Sequence, residues 1–486
     1  MAKSDQGKKK PKTSGPMIDD DSVWVLGTHM TKFGRYPDHD AVDLASTSAI
    51  AALQDGGVTI HDMDVFAAGT LFQASSGMAQ QVQKQIGQTG IPAYNVSNAC
   101  ATGATALRTV MLSIKAGEAD MGLAVGVEQM GKMGLLGGAG SKKEAKVFAP
   151  SGRYGAVTGT DGYIGTAGMP GVFAQAGMGY AYENDGVGFE QFAKVAYKNH
   201  LHSTLNPLAQ YQKEFSLDEI MGAPVMSYPN TLLMCCPTGD GAAAAVLVSG
   251  ERLKSMPKKV QKRAVKISAS VLTSDPWTSS AQVQPDVNTL TRNAASQAYE
   301  QAGVGPDDLD LVELHDCFAT AELIHYDNLG LCEPGGAGDF IDSGAPFRDG
   351  RTPVNVSGGL ISKGHPIGAT GVSMHVLTAM QVRGEAGDMQ VPGAKLGGIF
   401  NMGGAAGMGC QFVEQAANAP HHLDIGHLVM TADIIAGTDP ATGDDRQQGS
   451  RVILDMQPIA DVLSAPINRQ RLAGEALEPV RIGDLA

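Results

Sequence analysis

The chain repeats itself, and this constrains its fold more than any single motif does. Gly57-Val58, followed by Asp62, Asp64 and Val65, returns as Gly303-Val304 followed by Asp308, Asp310 and Leu311, at a constant offset of 246 residues. Asn95-Val96-Ser97 returns as Asn355-Val356-Ser357, and Gly103-Ala104-Thr105 as Gly368-Ala369-Thr370, at offsets of 260 and 265. Two halves of one design are therefore expected. Ahead of the glycine pairs, Val42, Ala45, Ala49, Ala52 and Leu53 in one copy, and Leu290, Ala294, Ala298 and Ala302 in the other, recur at the spacing of an amphipathic helix that stops at glycine. Short apolar runs (Val23 to Leu26, Met121 to Val125, Ala242 to Val248, Val265 to Ala269, Leu309 to Leu314, Leu396 to Phe400) alternate with helical stretches. That alternation predicts two α/β units, each a mostly parallel sheet with helices on both faces.

The segments outside the repeat set the remaining boundaries. Residues 1–20 read as a disordered basic tail, with Lys8, Lys9 and Lys10 in a row. The N-terminal half spans residues 21–264 and the C-terminal half 265–415; residues 416–486 form an extension with no assigned role. A glycine- and methionine-rich insertion at about residues 129–232 has no second copy and reads as a substrate-covering loop subdomain. The net charge of −14 argues against a nucleic-acid partner, which needs clustered positive charge. No run of 18 apolar residues offers a membrane span. Six cysteines, with Cys235 and Cys236 adjacent, lack disulfide or zinc spacing, and no apolar signal segment precedes them. Reduced thiols, a cytoplasmic location, and neither a metal nor a bound cofactor are the expectation.

Four elements carry chemistry. Cys100 follows Asn95 to Ala99 and opens a helical run closed by Gly117, so strand, sharp turn, cysteine and helix follow one another. A thiol at a helix start gains from the dipole and from free N–H groups, which predicts a lowered pKa; the same pattern also fits a buried structural cysteine. His365, in Gly364-His365-Pro366, sits in the duplicate of that turn, so a pseudo-twofold would bring it to Cys100 as base to nucleophile. His315-Asp316-Cys317 ends the strand candidate Leu309 to Leu314, where active groups of parallel sheets collect, and it reads equally as a turn with a buried thiol. Finally, Asn401-Met402-Gly403-Gly404-Ala405-Ala406-Gly407 lets backbone N–H groups approach a ligand.

Taken together, N-A-C-A-T-G around Cys100, G-H-P-I-G-A-T-G around His365 and the glycine run after Asn401 resemble the thiolase superfamily over about residues 20–415. His315-Asp316-Cys317-Phe318 and the C-C-P-T-G-D-G-A of residues 235–242 are similar to its sterol-carrier-protein-2 branch, with Asn401 where common thiolases carry a second catalytic cysteine. The resemblance implies a five-layer αβαβα arrangement of duplicated βαβαβ halves and a homodimer or dimer of dimers. It also implies coenzyme A as co-substrate, 3-oxoacyl-CoA cleavage or Claisen condensation through an acyl-Cys100 intermediate, and a place in lipid metabolism such as fatty-acid β-oxidation. Within it, His365 is the base, His315 an oxyanion donor, Cys317 the acid/base that replaces the missing cysteine, and the N–H groups of Cys100 and Gly403 the oxyanion hole.

Rival readings differ in class. A nucleotide-binding oxidoreductase is disfavoured because Val25-Leu26-Gly27-Thr28-His29 lacks the later glycines of a dinucleotide fingerprint. A phosphate loop fails because Met133 stands where Gly126 to Lys132 would need Ser or Thr. Acyl transfer to another acceptor, or a retro-aldolase working with a small accessory protein, shares the fold. A non-enzymatic acyl-CoA-binding scaffold would not need Cys100.

Overall fold

The computed structural model describes residues 18–133, 169–274, 276, 287–404 and 408–416. The expected tail up to residue 17, residues 134–168 of the insertion and the extension from residue 417 lie outside them. Helix α1 (Ala41–Gly56) shows how the sequence sets its elements. The Asp40 carboxylate accepts from the Asp43 N–H at 2.8 Å while Asp43 accepts from the Asp40 N–H at 3.1 Å, a reciprocal cap on two otherwise orphaned donors. Gly57, at φ +67°, ends the helix. Its duplicate, α6 (Val287–Ala302), has the same bounds shifted by 246 residues and ends before Gly303 at φ +68°.

Strands β1 (Val23–Met30), β2 (Val65–Gly69), β3 (Ala93–Val96), β4 (Met121–Gln129) and β7 (Asp240–Ser249) build the first half. Strands β8 (Val265–Ser274), β9 (Leu311–Leu314), β10 (Leu396–Gly403) and β11 (Met408–Ala416) build the second. They form one nine-stranded sheet in the order β3-β2-β4-β7-β1-β8-β11-β10-β9; outward from the β1-β8 junction, β7 matches β11, β4 matches β10 and β2 matches β9, and β3 is left without a strand to match it. The third strand of the second half is reduced to a single parallel bridge between Val312 and Val354.

The expected mostly parallel sheets are corrected here. Only β3-β2-β4 and β9-β10 run parallel. The last strand of each half, β7 or β11, is antiparallel to both its neighbours, and β1 pairs antiparallel with β8 across the junction. The link from Gly403 to Met408 is too short for a crossover, so β10 and β11 can only pair as a hairpin.

Helices α3 (Thr102–Lys115) and α8 (Ile367–Arg383) pack on each other between the two halves of the curled sheet; α1 covers the outer side of the first half and α6 that of the second. Between α1 and α8, β7 presents the run Ala242 to Ala245, fully buried. Small side chains there let a helix approach each face. The described part of the insertion includes α4 (Met169–Glu183), α5 (Phe189–Ser203) and a hairpin of β5 (Val225–Ser227) and β6 (Asn230–Thr231). Helices α4 and α5 pack on α7 (Ala319–Asn328) of the second half.

Candidate active site

The two central helices start at duplicated positions, 265 residues apart, which places Cys100 and His365 two residues ahead of Thr102 and Ile367 respectively. A methyl group on Gly103 would lie 2.7 Å from the Gly368 carbonyl and 2.8 Å from the Val372 nitrogen, so glycine is what lets the helix starts meet. Both turns are locked alike: the Thr105 hydroxyl donates to the Ala101 carbonyl at 2.9 Å, and that of Thr370 to the Pro366 carbonyl at 3.0 Å. Ala99 holds φ +45° to turn the chain sharply into Cys100, a conformation that costs a non-glycine residue on the order of 1–2 kcal/mol.

The donor atoms of Cys100, His315 and His365 all lie within 4.8 Å of one another. Their hydrogen bonds give the two imidazoles opposite tautomers. With its proton committed to Pro366, the Thr370 oxygen accepts His365 Nδ1–H at 2.7 Å, which leaves Nε2 with a free lone pair. The amide of Asn401 donates to His315 Nδ1 at 3.1 Å, which leaves the proton on Nε2. One ring can take a proton and the other can donate a hydrogen bond. Burial keeps both neutral: it pulls His365 down to about 3, with the nearby Lys363 ammonium adding to the effect, and holds His315 well below the ordinary imidazole range. The rings meet edge to face, their centroids 5.2 Å apart.

One expectation for the nucleophile is overturned. Burial pushes the Cys100 thiol up to about 11, against the small opposing effect of the Gly404 N–H that hydrogen-bonds its sulfur and with the nearby Glu128 carboxyl adding to the rise. Lost solvation is the largest effect on the thiol, so a neutral thiol faces a neutral imidazole at rest. The backbone N–H that reaches the sulfur belongs to Gly404. Its neighbour Gly403 packs against the nucleophile turn: a methyl there would lie 2.7 Å from the Asn98 carbonyl and 3.0 Å from the Ala101 nitrogen.

Cys317 is buried at the carboxyl end of β9, its thiol held well above the ordinary range by desolvation. Cys236 donates its N–H to the Cys317 carbonyl at 3.0 Å; Cys100 lies near enough to oppose the ionisation of both, and Cys236 opposes that of Cys317. Sequence reasoning quoted Cys236 only as part of a signature. It also missed Thr370 and Asn401 as the partners that fix the imidazole tautomers, and Glu128. The Glu128 carboxylate collects the Thr70 hydroxyl at 2.9 Å and the N–H groups of Leu71 and Gly368 at 2.8 and 3.2 Å, pinning the start of α8. Thr370 and Asn401 lay inside quoted motifs; nothing local marked Glu128. Among the described residues, Cys100, His315 and His365 are also the group with the donor set and spacing to hold a metal ion.

Comparison with known proteins identifies a family. Residues 23–227 match the family model described as "Thiolase, N-terminal domain", and residues 274–413 match "Thiolase C-terminal domain-like". The chain is 38% identical over 388 residues to "Sterol carrier protein 2" of Homo sapiens, covering 78% of this chain and 70% of that protein. It is 33% identical over 391 residues to "Acetyl-CoA acetyltransferase" of Methanothermobacter thermautotrophicus, covering 79% and 97%. The solved "Ltp2-ChsH2(DUF35) aldolase" superposes with a TM-score of 0.67 at 22% identity, covering 82% of this chain and 99% of that one. With family models across both halves and a cysteine facing two histidines where the duplicated helices start, the chain belongs to the thiolase family and is an enzyme of thiolase acyl transfer with coenzyme A.

Proposed function

We propose that this enzyme cleaves, or in reverse forms, a 3-oxoacyl-CoA through an acyl group carried on Cys100. The observation that carries the reading is the Cys100–His315–His365 cluster, in which one imidazole has a free lone pair and the other a free N–H. His365 Nε2 takes the Cys100 proton as sulfur attacks the keto carbon, so charge separates only when substrate is present. Cleavage of the carbon–carbon bond leaves the acetyl-CoA enolate, whose oxygen meets His315 Nε2–H and the protonated His365. Cys317, kept as a neutral thiol by burial, gives its proton to the enolate carbon and takes one back from incoming coenzyme A. The resulting coenzyme A thiolate displaces Cys100, which recovers its proton from His365. The N–H groups of Cys100 and Gly403 cradle the oxyanion of both tetrahedral states.

Deuterium exchange at C2 of acetyl-CoA tests the division of labour. Cys317→Ala is expected to slow exchange by about 10²-fold while Cys100 is still acylated. Asn401→Cys in that background is expected to restore part of the loss. Unchanged exchange in Cys317→Ala would remove Cys317 from the mechanism.

Assembly and setting follow the same reading. The edge strand β3 leaves Tyr94 42% exposed, and on the adjacent α3 Leu112 is 48% exposed, which supports self-association into a homodimer or dimer of dimers. No helix among the described residues is long and apolar enough to cross a membrane. Cys100, Cys235, Cys236, Cys317 and Cys332 are free thiols, in keeping with a reducing compartment such as the cytoplasm and a role in lipid metabolism. A small accessory protein is an expectation that assay of the isolated chain tests directly: full acyl transfer without a partner rules it out.

A further inference from the structure

Asp316 stands between His315 and Cys317, fully buried, and has no part in the steps above. Its carboxylate accepts the backbone N–H of Leu360 at 2.6 Å and that of Ile361 at 3.2 Å, both in the turn that leads to His365. The Asn199 side chain donates to it at 2.8 Å, and the same amide reaches Glu322 at 2.6 Å. Asn199 lies on α5 of the insertion, in the run Lys198-Asn199-His200-Leu201-His202, whose four polar residues are all buried. Each of those four reaches the second half or its supports. Lys198 pairs with Glu322 at 2.7 Å, His200 meets the Ser362 hydroxyl at 2.5 Å, and His202 hydrogen-bonds the Asn355 carbonyl at 3.0 Å. Gly359 closes the fit: at φ +56°, a methyl there would lie 2.6 Å from the Asp316 carboxyl carbon.

From this geometry we infer that Asp316 is a positioning residue, braced by Asn199 of the inserted helix, that sets the spacing between His365 on one loop and the His315–Cys317 pair on the other. The inference rests on the roles proposed above for those three residues. One carboxylate ties the two reacting loops together, and an amide from the insertion holds that carboxylate in register. The insertion is thus part of the catalytic scaffold. Asp316→Asn keeps the shape but puts an NH2 donor into a carboxylate position to which three donors already point, which should push the loops apart.

The test compares Asp316→Asn, the milder Asn199→Ala and Leu44→Ala, a destabilising control in remote α1, with all rates normalised to titratable Cys100. The measurements are Cys100 acylation, C2 exchange on acetyl-CoA, KM for acetyl-CoA and melting temperature. Expected are losses of at least 30-fold in both rates for Asp316→Asn and at least 5-fold for Asn199→Ala, with KM within about threefold of the parent. Leu44→Ala should lose melting temperature and keep its normalised rates. If Asp316→Asn does not fold, Asn199→Ala alone decides. Normalised rates within twofold of the parent would overturn the inference, as would losses matched by Leu44→Ala at equal melting temperature. Loss of Cys100 dependence in the parent enzyme would instead overturn the catalytic reading beneath it.

Discussion

Alkylation of Cys100 as a function of pH follows directly from its surroundings. With the thiol pushed up to about 11, the ionised fraction at pH 7 is on the order of 10⁻⁴. An unperturbed thiol near 8.5 is about 3% ionised at that pH, so the resting Cys100 should react roughly 300-fold more slowly than a free cysteine analogue. The sign is set by burial: a raised thiol pKa keeps the proton on at neutral pH, and reactivity grows as pH climbs. The assay is iodoacetamide labelling from pH 6 to 9.5, read as the modified Cys100 peptide by mass spectrometry. The logarithm of the rate should rise with unit slope and show no plateau. His365→Ala should leave the slope unchanged, because an imidazole held near 3 carries no charge that could stabilise a thiolate. A plateau below pH 8, lost in His365→Ala, would reveal a resting thiolate–imidazolium pair and refute the neutral-pair account.

Thr370→Val removes the acceptor that keeps the His365 proton on Nδ1, and should lower the rate of Cys100 acylation by about 10²-fold with Thr370→Ser restoring most of it; pre-steady-state acylation reads both, and a Val variant within threefold of the parent would count against the tautomer assignment. Lys198→Met leaves Glu322 buried without its charged partner and should cost about 3–5 kcal/mol in urea unfolding; a loss below about 1 kcal/mol would show that this ion pair does not hold the fold together. Gly403→Ala drives a methyl into the Asn98–Ala101 turn and should reduce turnover at least tenfold with a smaller change in KM; steady-state kinetics distinguish this from uniform weakening of binding.

What the sequence disclosed was whatever the duplication repeats. The bounds of α1 and α6, the matched starts of α3 and α8 and the approach of His365 to Cys100 all follow from fixed offsets, because equivalent segments related by a pseudo-twofold meet at its axis. Strand direction was not legible, since the apolar runs of β7 and β11 look alike whether buried in parallel or antiparallel pairs. The thiol shift of Cys100 is not legible in local spacing, which shows the helix start but not the desolvation that the surrounding loops impose. Asn199 and Glu128 escaped notice for a related reason: their partners lie 117 and 240 residues away in Asp316 and Gly368, and no short motif encodes such contacts. The tautomers of His315 and His365 likewise depend on whether Asn401 and Thr370 reach the rings.

The most direct test of acyl transfer through Cys100 is peptide mass mapping after incubation with acetyl-CoA and, separately, with a longer 3-oxoacyl-CoA. The account predicts a mass increase of the matching acyl group on the Cys100 peptide, discharged by added coenzyme A and absent in Cys100→Ala. An unmodified Cys100 peptide under both conditions, while the enzyme still turns over, would contradict it.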